Sequence, residues 1–361
     1  MDRSCSSYQH ILNLSDPETV KANQPTAMEN LLVFAGMPSV LVIGILGNLA
    51  FLLAVFRIPR MKTLTNSYLA QVALTDLVFI VSTTTAYIYQ TVESPIRFTV
   101  SYTHWSGCFS VFFVFLFSYT ISLFLITLVT VERFYAICRP LQMLRITGKG
   151  RSRKLVAFLW ISSFFLTTLA VLQYARLQRT CVIWPSEEEY ARYPQVVHSC
   201  VAVSAHPSLY VVSEMSLTFP YYILLPMNLY MYTMIIYTLG NRMPMTEIDQ
   251  ANVIQTKKIR NQVARLLIIN GVVFFVCQSP IRIISIHDIV QKLTGVSLFT
   301  PLQYGLLVIL GRILLFINAA SNPVIYITTS SFYRQAIWEA ISCKVKEIGG
   351  RSEGQSMTSN I

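Results

Sequence analysis

From Cys108 to Val131 the chain carries no charged side chain, and then two opposite charges follow at once, Glu132-Arg133. Read as a helix rising about 1.5 Å per residue, Cys108 to Arg133 spans about 37 Å, a little more than the ~30 Å hydrocarbon core of a bilayer. One end therefore sits at each face of a membrane. Composition agrees: only 12% of residues are charged and mean hydropathy is +0.52, whereas soluble proteins carry about 25% charge.

Seven segments are apolar and long enough to span: Leu31–Phe56, Asn66–Val92, Trp105–Cys138, Leu155–Tyr174, Leu209–Gly240, Thr256–Gln291 and Pro301–Ile327. The net charge of +11 falls in alternate connections, at residues such as Arg57, Lys62, Arg151, Lys154, Lys257 and Arg334. That is a positive-inside pattern, so the charge faces the cytoplasm and does not indicate nucleic acid. With an odd number of spans, the N-terminus lies outside. Phe332–Ile341 is too short and too amphipathic to cross and is expected along the inner surface.

The expected fold is an all-α membrane protein, a seven-helix transmembrane bundle with a short amphipathic eighth helix. Residues 1–30 form an extracellular tail, 31–327 the bundle, 328–343 the surface helix and 344–361 a cytoplasmic tail. Met1–Glu29 has no apolar run behind a basic start, so the first span is expected to act as its own insertion signal. Asn13-Leu14-Ser15 is a glycosylation sequon on the expected outer side. Cys5, Cys108, Cys181 and Cys200 fall on the oxidising side, Cys138 and Cys343 on the inner side.

Several polar residues lie within the spans. Asp76 sits halfway along the second, where a carboxylate needs either a cation or a proton. Arg282 and Arg312 lie in the sixth and seventh, and Pro226 and Pro280 interrupt the fifth and sixth. No His-Glu-x-x-His or Gly-x-Ser-x-Gly occurs, and the five histidines show no metal spacing, so an enzyme is not expected. Intramembrane charges also suit a transporter, but the chain shows no inverted repeat.

Glu132-Arg133-Phe134, at the inner end of its span, resembles the D/E-R-Y segment of rhodopsin-like (class A) G-protein-coupled receptors. Gly47-Asn48, Asp76, Cys108, Trp160, Pro226, Pro280 and Asn322-Pro323-Val324-Ile325-Tyr326 match the same family, each in its own span and in order. The resemblance covers Leu31 to Cys343. It implies a disulfide from Cys108 to the long outer loop, for which Cys200 is the chosen partner. Cys181 is then either spare or joined to Cys5. It also implies a sodium site at Asp76, Ser122, Asn318 and Asn322, with Asn48 nearby; the other reading is a protonated, hydrogen-bonded Asp76. No cofactor is expected apart from that ion.

The inner switch implied by the family comprises Glu132, Arg133, Phe134, Phe274, Gln278, Pro280, Asn322, Pro323 and Tyr326. The sequence departs from the family pattern at four places: no proline follows Trp160 in the outer half of the fourth helix, Gln278 replaces the hinge tryptophan, Met234 the usual tyrosine of the fifth helix, and Arg260 a common glutamate. Phe115 stands where aminergic receptors place an aspartate, which argues against an amine ligand. The expected ligand pocket uses Tyr87, Phe115, Tyr119, Gln173, Arg282 and Arg312, under an outer loop carrying Glu187-Glu188-Glu189. This mixture resembles receptors for short neuropeptides, of the thyrotropin-releasing-hormone and neuromedin types. A lipid or small carboxylate is the alternative ligand. Arg312 either binds that ligand or pairs internally with Glu214, Asp288 or Glu93. Implied partners are a heterotrimeric G protein, arrestin and receptor kinases at the plasma membrane. Cys343 is a palmitoylation candidate, and Ser359-Asn360-Ile361 fits a PDZ ligand.

Overall fold

The computed structural model describes residues 5, 7–94, 96–97, 99–146, 149–172, 176–201, 207–241 and 250–342. Seven of its helices are long and apolar enough to cross a membrane. They lie in α3 (Met37–Arg57), α4 (Leu64–Glu93), α5 (Trp105–Cys138), α7 (Lys149–Leu172), α8 (Pro207–Gly240), α9 (Gln250–Thr294) and α10 (Pro301–Thr329). Two short helices, α1 (Pro17–Asn23) and α2 (Ala27–Leu31), precede them; α6 (Pro140–Ile146) links α5 to α7, and α11 (Ser331–Ile341) closes the described chain.

The helix ends follow local chemistry. Thr63 caps α4 by accepting the Asn66 N–H, and His104 caps α5 by accepting that of Ser106. At α10, Thr300 and Gln303 form a reciprocal capping box with Pro301 in the first turn, where a missing N–H costs nothing. The first span reaches further out than its apolar run. A Thr26–Glu29 capping box starts α2, which continues through a wide turn at Leu32–Gly36 into α3. In that turn the Met37 N–H bonds Leu32 O, just before Pro38 withholds its own donor.

α5 is the central helix, packing on α4, α7, α8 and α9, while α10 packs on α9, α3 and α4. Large apolar side chains that remain exposed, such as Leu46, Phe56, Leu169, Val276 and Tyr237, form the surface offered to lipid. α11 is fastened to the inner end of α3: Arg57 donates to Ala340 O at 3.2 Å, and Arg60 meets Glu339 at 2.9 Å.

The end of the bundle expected to face outward holds a three-stranded sheet. β2 (Arg176–Ile183) and β3 (Val196–Val201) form an antiparallel hairpin, and β1 (Ile11–Asn13) of the amino-terminal segment joins it in parallel, Ile11 opposite Cys181. Leu14 and Val20 are buried with Ile96, Val182, Tyr190 and Val197. Leu14 and Val20 are thus built into a small apolar cap over the bundle.

Candidate functional site: an outer cavity, a mid-membrane cluster and an inner switch

Two disulfides shape the outer face. Cys108 at the head of α5 joins Cys200 of β3, the pairing expected, and Cys5 joins Cys181 of β2. The second bond clips the amino-terminal segment to the hairpin. Asn13, the sequon residue, lies exposed on β1. His198 on β3 is held below its ordinary histidine value by partial burial and by Arg179 opposite it, so this strand brings no added positive charge at neutral pH.

Beneath the hairpin is a cavity of about 370 Å³. Its walls include Tyr87, Phe112, Phe115 and Arg312, with Glu29 and Arg97 from the outer segments. Arg97 forms a 2.8 Å ion pair with Glu29, and the Arg312 guanidinium lies over the Tyr87 ring, 5.3 Å from its centre. None of the ion pairs among the described residues joins Arg312 to Glu214, Asp288 or Glu93.

Tyr87, Phe115 and Arg312 therefore come together as expected, but Arg282 and Tyr119 do not line this cavity. Arg282 is only 2% exposed and stacks on the Tyr119 ring at 4.2 Å. Tyr119 in turn donates to Leu217 O on α8. Position along a helix does not fix the direction a side chain takes around it. Gln173 lies outside the described residues. Glu29 and Arg97 were not foreseen; the Thr26–Glu29 capping pattern was the one available signal, and it points to a helix start rather than to a pocket.

At mid-membrane, Asn322 donates to the Asp76 carboxylate. The Asn48 amide donates to Gly44 O at 2.9 Å and to Ala319 O at 3.0 Å, tying α3 to α10. Gly47, beside it, lies so close to Pro323 that an added Cβ would stand 2.8 Å from the proline ring. Asp76, Ser118, Ser122, Asn318 and Gln278 line a cavity of about 20 Å³. That is room for about one water-sized occupant. The Gln278 carbonyl oxygen is buried without a partner. A carboxylate, two hydroxyls and amide oxygens around one such space are the hard oxygen donors that a sodium ion requires.

At the inner end, Arg133 meets Glu132 at 3.3 Å, and Thr65 stands between them. The Thr65 hydroxyl donates to the carboxylate, at 3.2–3.3 Å, and accepts from the guanidinium. Thr65 was missed, because nothing in sequence links the start of α4 to the end of α5. Phe134 packs with Ile137, Ile235 and Ala264. Tyr326 is fully buried against Phe51 and Tyr333, with ring centres 4.6 and 5.6 Å away. Tyr333 donates to Asn66 at 2.6 Å, and Asn66 donates to Met61 O. On α8, Met234 is only partly buried while Tyr232 points inward, accepting from Thr130 and filling the notch left by Gly271. Phe274 is buried beside Phe275, and Pro280 lies within α9.

The model of the 7 transmembrane receptor (rhodopsin family) matches residues 47–326, which takes in both the mid-membrane cluster and the inner switch. The chain belongs to that family. As a rhodopsin-family receptor it is a multi-pass membrane protein and a G-protein-coupled receptor, not an enzyme. It is 26% identical over 331 residues to a thyrotropin-releasing hormone receptor of Gallus gallus, covering 84% of this chain and 77% of that one. Against neuromedin-U receptor 2 of Rattus norvegicus the figures are 23% over 347 residues, 94% and 81%. Against an allatostatin-A receptor of Bombyx mori they are 24% over 352 residues, 93% and 90%.

Proposed function

We propose that this receptor binds an extracellular neuropeptide in the cavity between α4, α5 and α10 and activates a heterotrimeric G protein at the Arg133 face. The observation that carries the reading is the cavity itself. It opens beneath a disulfide-tied hairpin and combines aromatic walls with Arg312. The relatives, receptors for thyrotropin-releasing hormone, neuromedin-U and allatostatin-A, support a peptide. The orientation proposed has the N-terminus outside at the plasma membrane, with arrestin and receptor kinases as further inner partners. Palmitoylation of Cys343 and the PDZ-binding end Ser359-Asn360-Ile361 belong to the same proposal and lie outside the described residues. A small carboxylate or lipid is the second reading, favoured by an arginine in a mostly apolar cavity.

A screen of amidated and free-acid peptides, read by nucleotide exchange on purified G proteins, tests the function. Exchange stimulated by a peptide supports it. Substrate flux into vesicles with no exchange would make the chain a transporter.

The proposal includes a sodium ion held by Asp76, Ser122, Asn318 and Asn322 that favours the resting state, since a ligand shifts the equilibrium toward whichever state it binds better. Raising sodium from a few to about 100 mM is expected to weaken agonist binding severalfold in the native protein and to leave Asp76→Asn unaffected. Equal sodium sensitivity of the two proteins would instead identify Asp76 as a protonated structural group.

A further inference from the structure

The outer cavity carries a charge imbalance. Its charged lining among the described residues is Glu29, Arg97 and Arg312, one carboxylate facing two guanidiniums. The carboxylate is heavily used. Glu29 Oε2 accepts from the Thr26 N–H at 2.8 Å and the Thr26 hydroxyl at 2.9 Å, and it lies 2.8 Å from Arg97. Arg312 takes part in none of the ion pairs among the described residues, and Arg97 keeps a buried Nε–H with no partner. The neighbouring walls, Val33, Val111, Phe112 and Phe115, are apolar. A guanidinium in such surroundings is poorly solvated, and its planar fork matches a carboxylate better than any neutral group.

We infer that the buried end of this receptor's ligand carries a carboxylate, bound between Arg312 and Arg97, and that Glu29 is a built-in competitor for that charge. The inference rests on the outer cavity being the ligand site and narrows that site to anions. Glu29 is a fixed competitor rather than a mobile lid, because its capping box anchors it at the start of the helix that runs on into α3. A ligand acid therefore meets a half-neutralised pair of arginines, whereas a ligand amide offers them only a neutral carbonyl acceptor. Removing the Glu29 charge should sharpen the preference for acids.

Glu29→Gln is the informative change, since glutamine at the third helical position also completes a capping box and the local fold is kept. The probe is 3-phenylpropionate, whose ring suits the aromatic walls, with uncharged 3-phenylpropionamide beside it. The measurement is thermal unfolding of the purified full-length receptor against probe concentration. The acid is expected to raise the unfolding temperature of the native protein at concentrations where the amide has little effect. In Glu29→Gln its half-saturating concentration should fall about five- to tenfold. In Arg312→Gln and Arg97→Gln it should rise by a similar factor, with the unfolding temperature in the absence of probe near native. An acid no more effective than the amide, or a Glu29→Gln protein with unchanged or weaker acid binding, overturns the inference. If the same native preparation still answers a peptide with nucleotide exchange, the receptor reading stands and only the carboxylate is lost.

Discussion

Cells expressing Cys108→Ala or Cys200→Ala are expected to show surface receptor at about a tenth of the native level or less. Removing a native disulfide typically costs about 2–5 kcal/mol, a large share of a marginal folding free energy. Here the bond has a second role, because both cysteines line the outer cavity. β3 is paired along its length to β2, with Cys200 opposite Leu177, so freeing Cys200 from α5 removes the covalent tie of the hairpin to the bundle and leaves weaker holds such as the Val100 N–H on His198 O. The second bridge provides an internal comparison. Cys5→Ala frees a segment that is also held by β1, by buried Leu14 and Val20 and by the Arg97 N–H on Asn23 O, and its surface level should fall much less. Flow cytometry on an amino-terminal epitope tag separates the cases. Near-native levels for Cys108→Ala would show that the roof is held by packing and that the bridge is dispensable.

The second large effect concerns signalling. Arg133→Ala is expected to reach the surface and bind ligand yet give nucleotide exchange near background, because it removes the cation presented to the G protein. Glu132→Gln and Thr65→Val should act in the opposite direction. Both disturb the three-way contact in which one hydroxyl donates to the carboxylate and accepts from the guanidinium. Losing a charge-assisted hydrogen bond of about 1.5–3 kcal/mol from the resting state alone should raise basal exchange roughly tenfold or more. Exchange assays on membranes from matched expression levels measure all three. A normal response from Arg133→Ala would remove this face as the coupling site.

The helices were legible where a boundary signal coincides with the edge of an apolar run. α5 runs from Trp105 to Cys138 as expected, and α10 starts at Pro301 behind Thr300 as a capping signal predicts. α7 begins at Lys149 and α9 at Gln250, earlier than their apolar runs, because hydropathy marks where lipid begins and not where helix ends. The strand β1 was illegible: three residues carry no periodicity, and their partner lies on a distant loop. Asp76 with Asn322 was readable because the family motifs fix both positions. Arg282 against Tyr119 was not, since facing is set by rotation about an axis, with about 100° per residue, and small changes in phase redirect a side chain. Tyr232 illustrates the same limit. α8 contains Pro220 and Pro226, each of which interrupts the hydrogen-bond ladder, so spacing from a proline does not fix which side chain faces inward.

The buried tyrosine of α11 makes a short amphipathic helix part of the core between the transmembrane helices. Tyr333 reaches into the bundle, bonds Asn66 of α4 and stacks near Phe51 of α3 and Tyr326 of α10, while Asn66 holds the turn at Met61. Three transmembrane helices are thereby locked into one block by a side chain from a surface helix. α9 joins the same block by packing: Leu266 and Leu267 are buried in one cluster with Phe51, Tyr326 and Tyr333, and the Ser331 hydroxyl donates to Gln262, while the proline within α9, Pro280, lies further along the helix. A swing of α9 about Pro280 would therefore have to open the apolar seam at Leu266 and Leu267 and give up the Gln262 bond, while the Tyr333–Asn66 tie between α11 and α4 could stay whole.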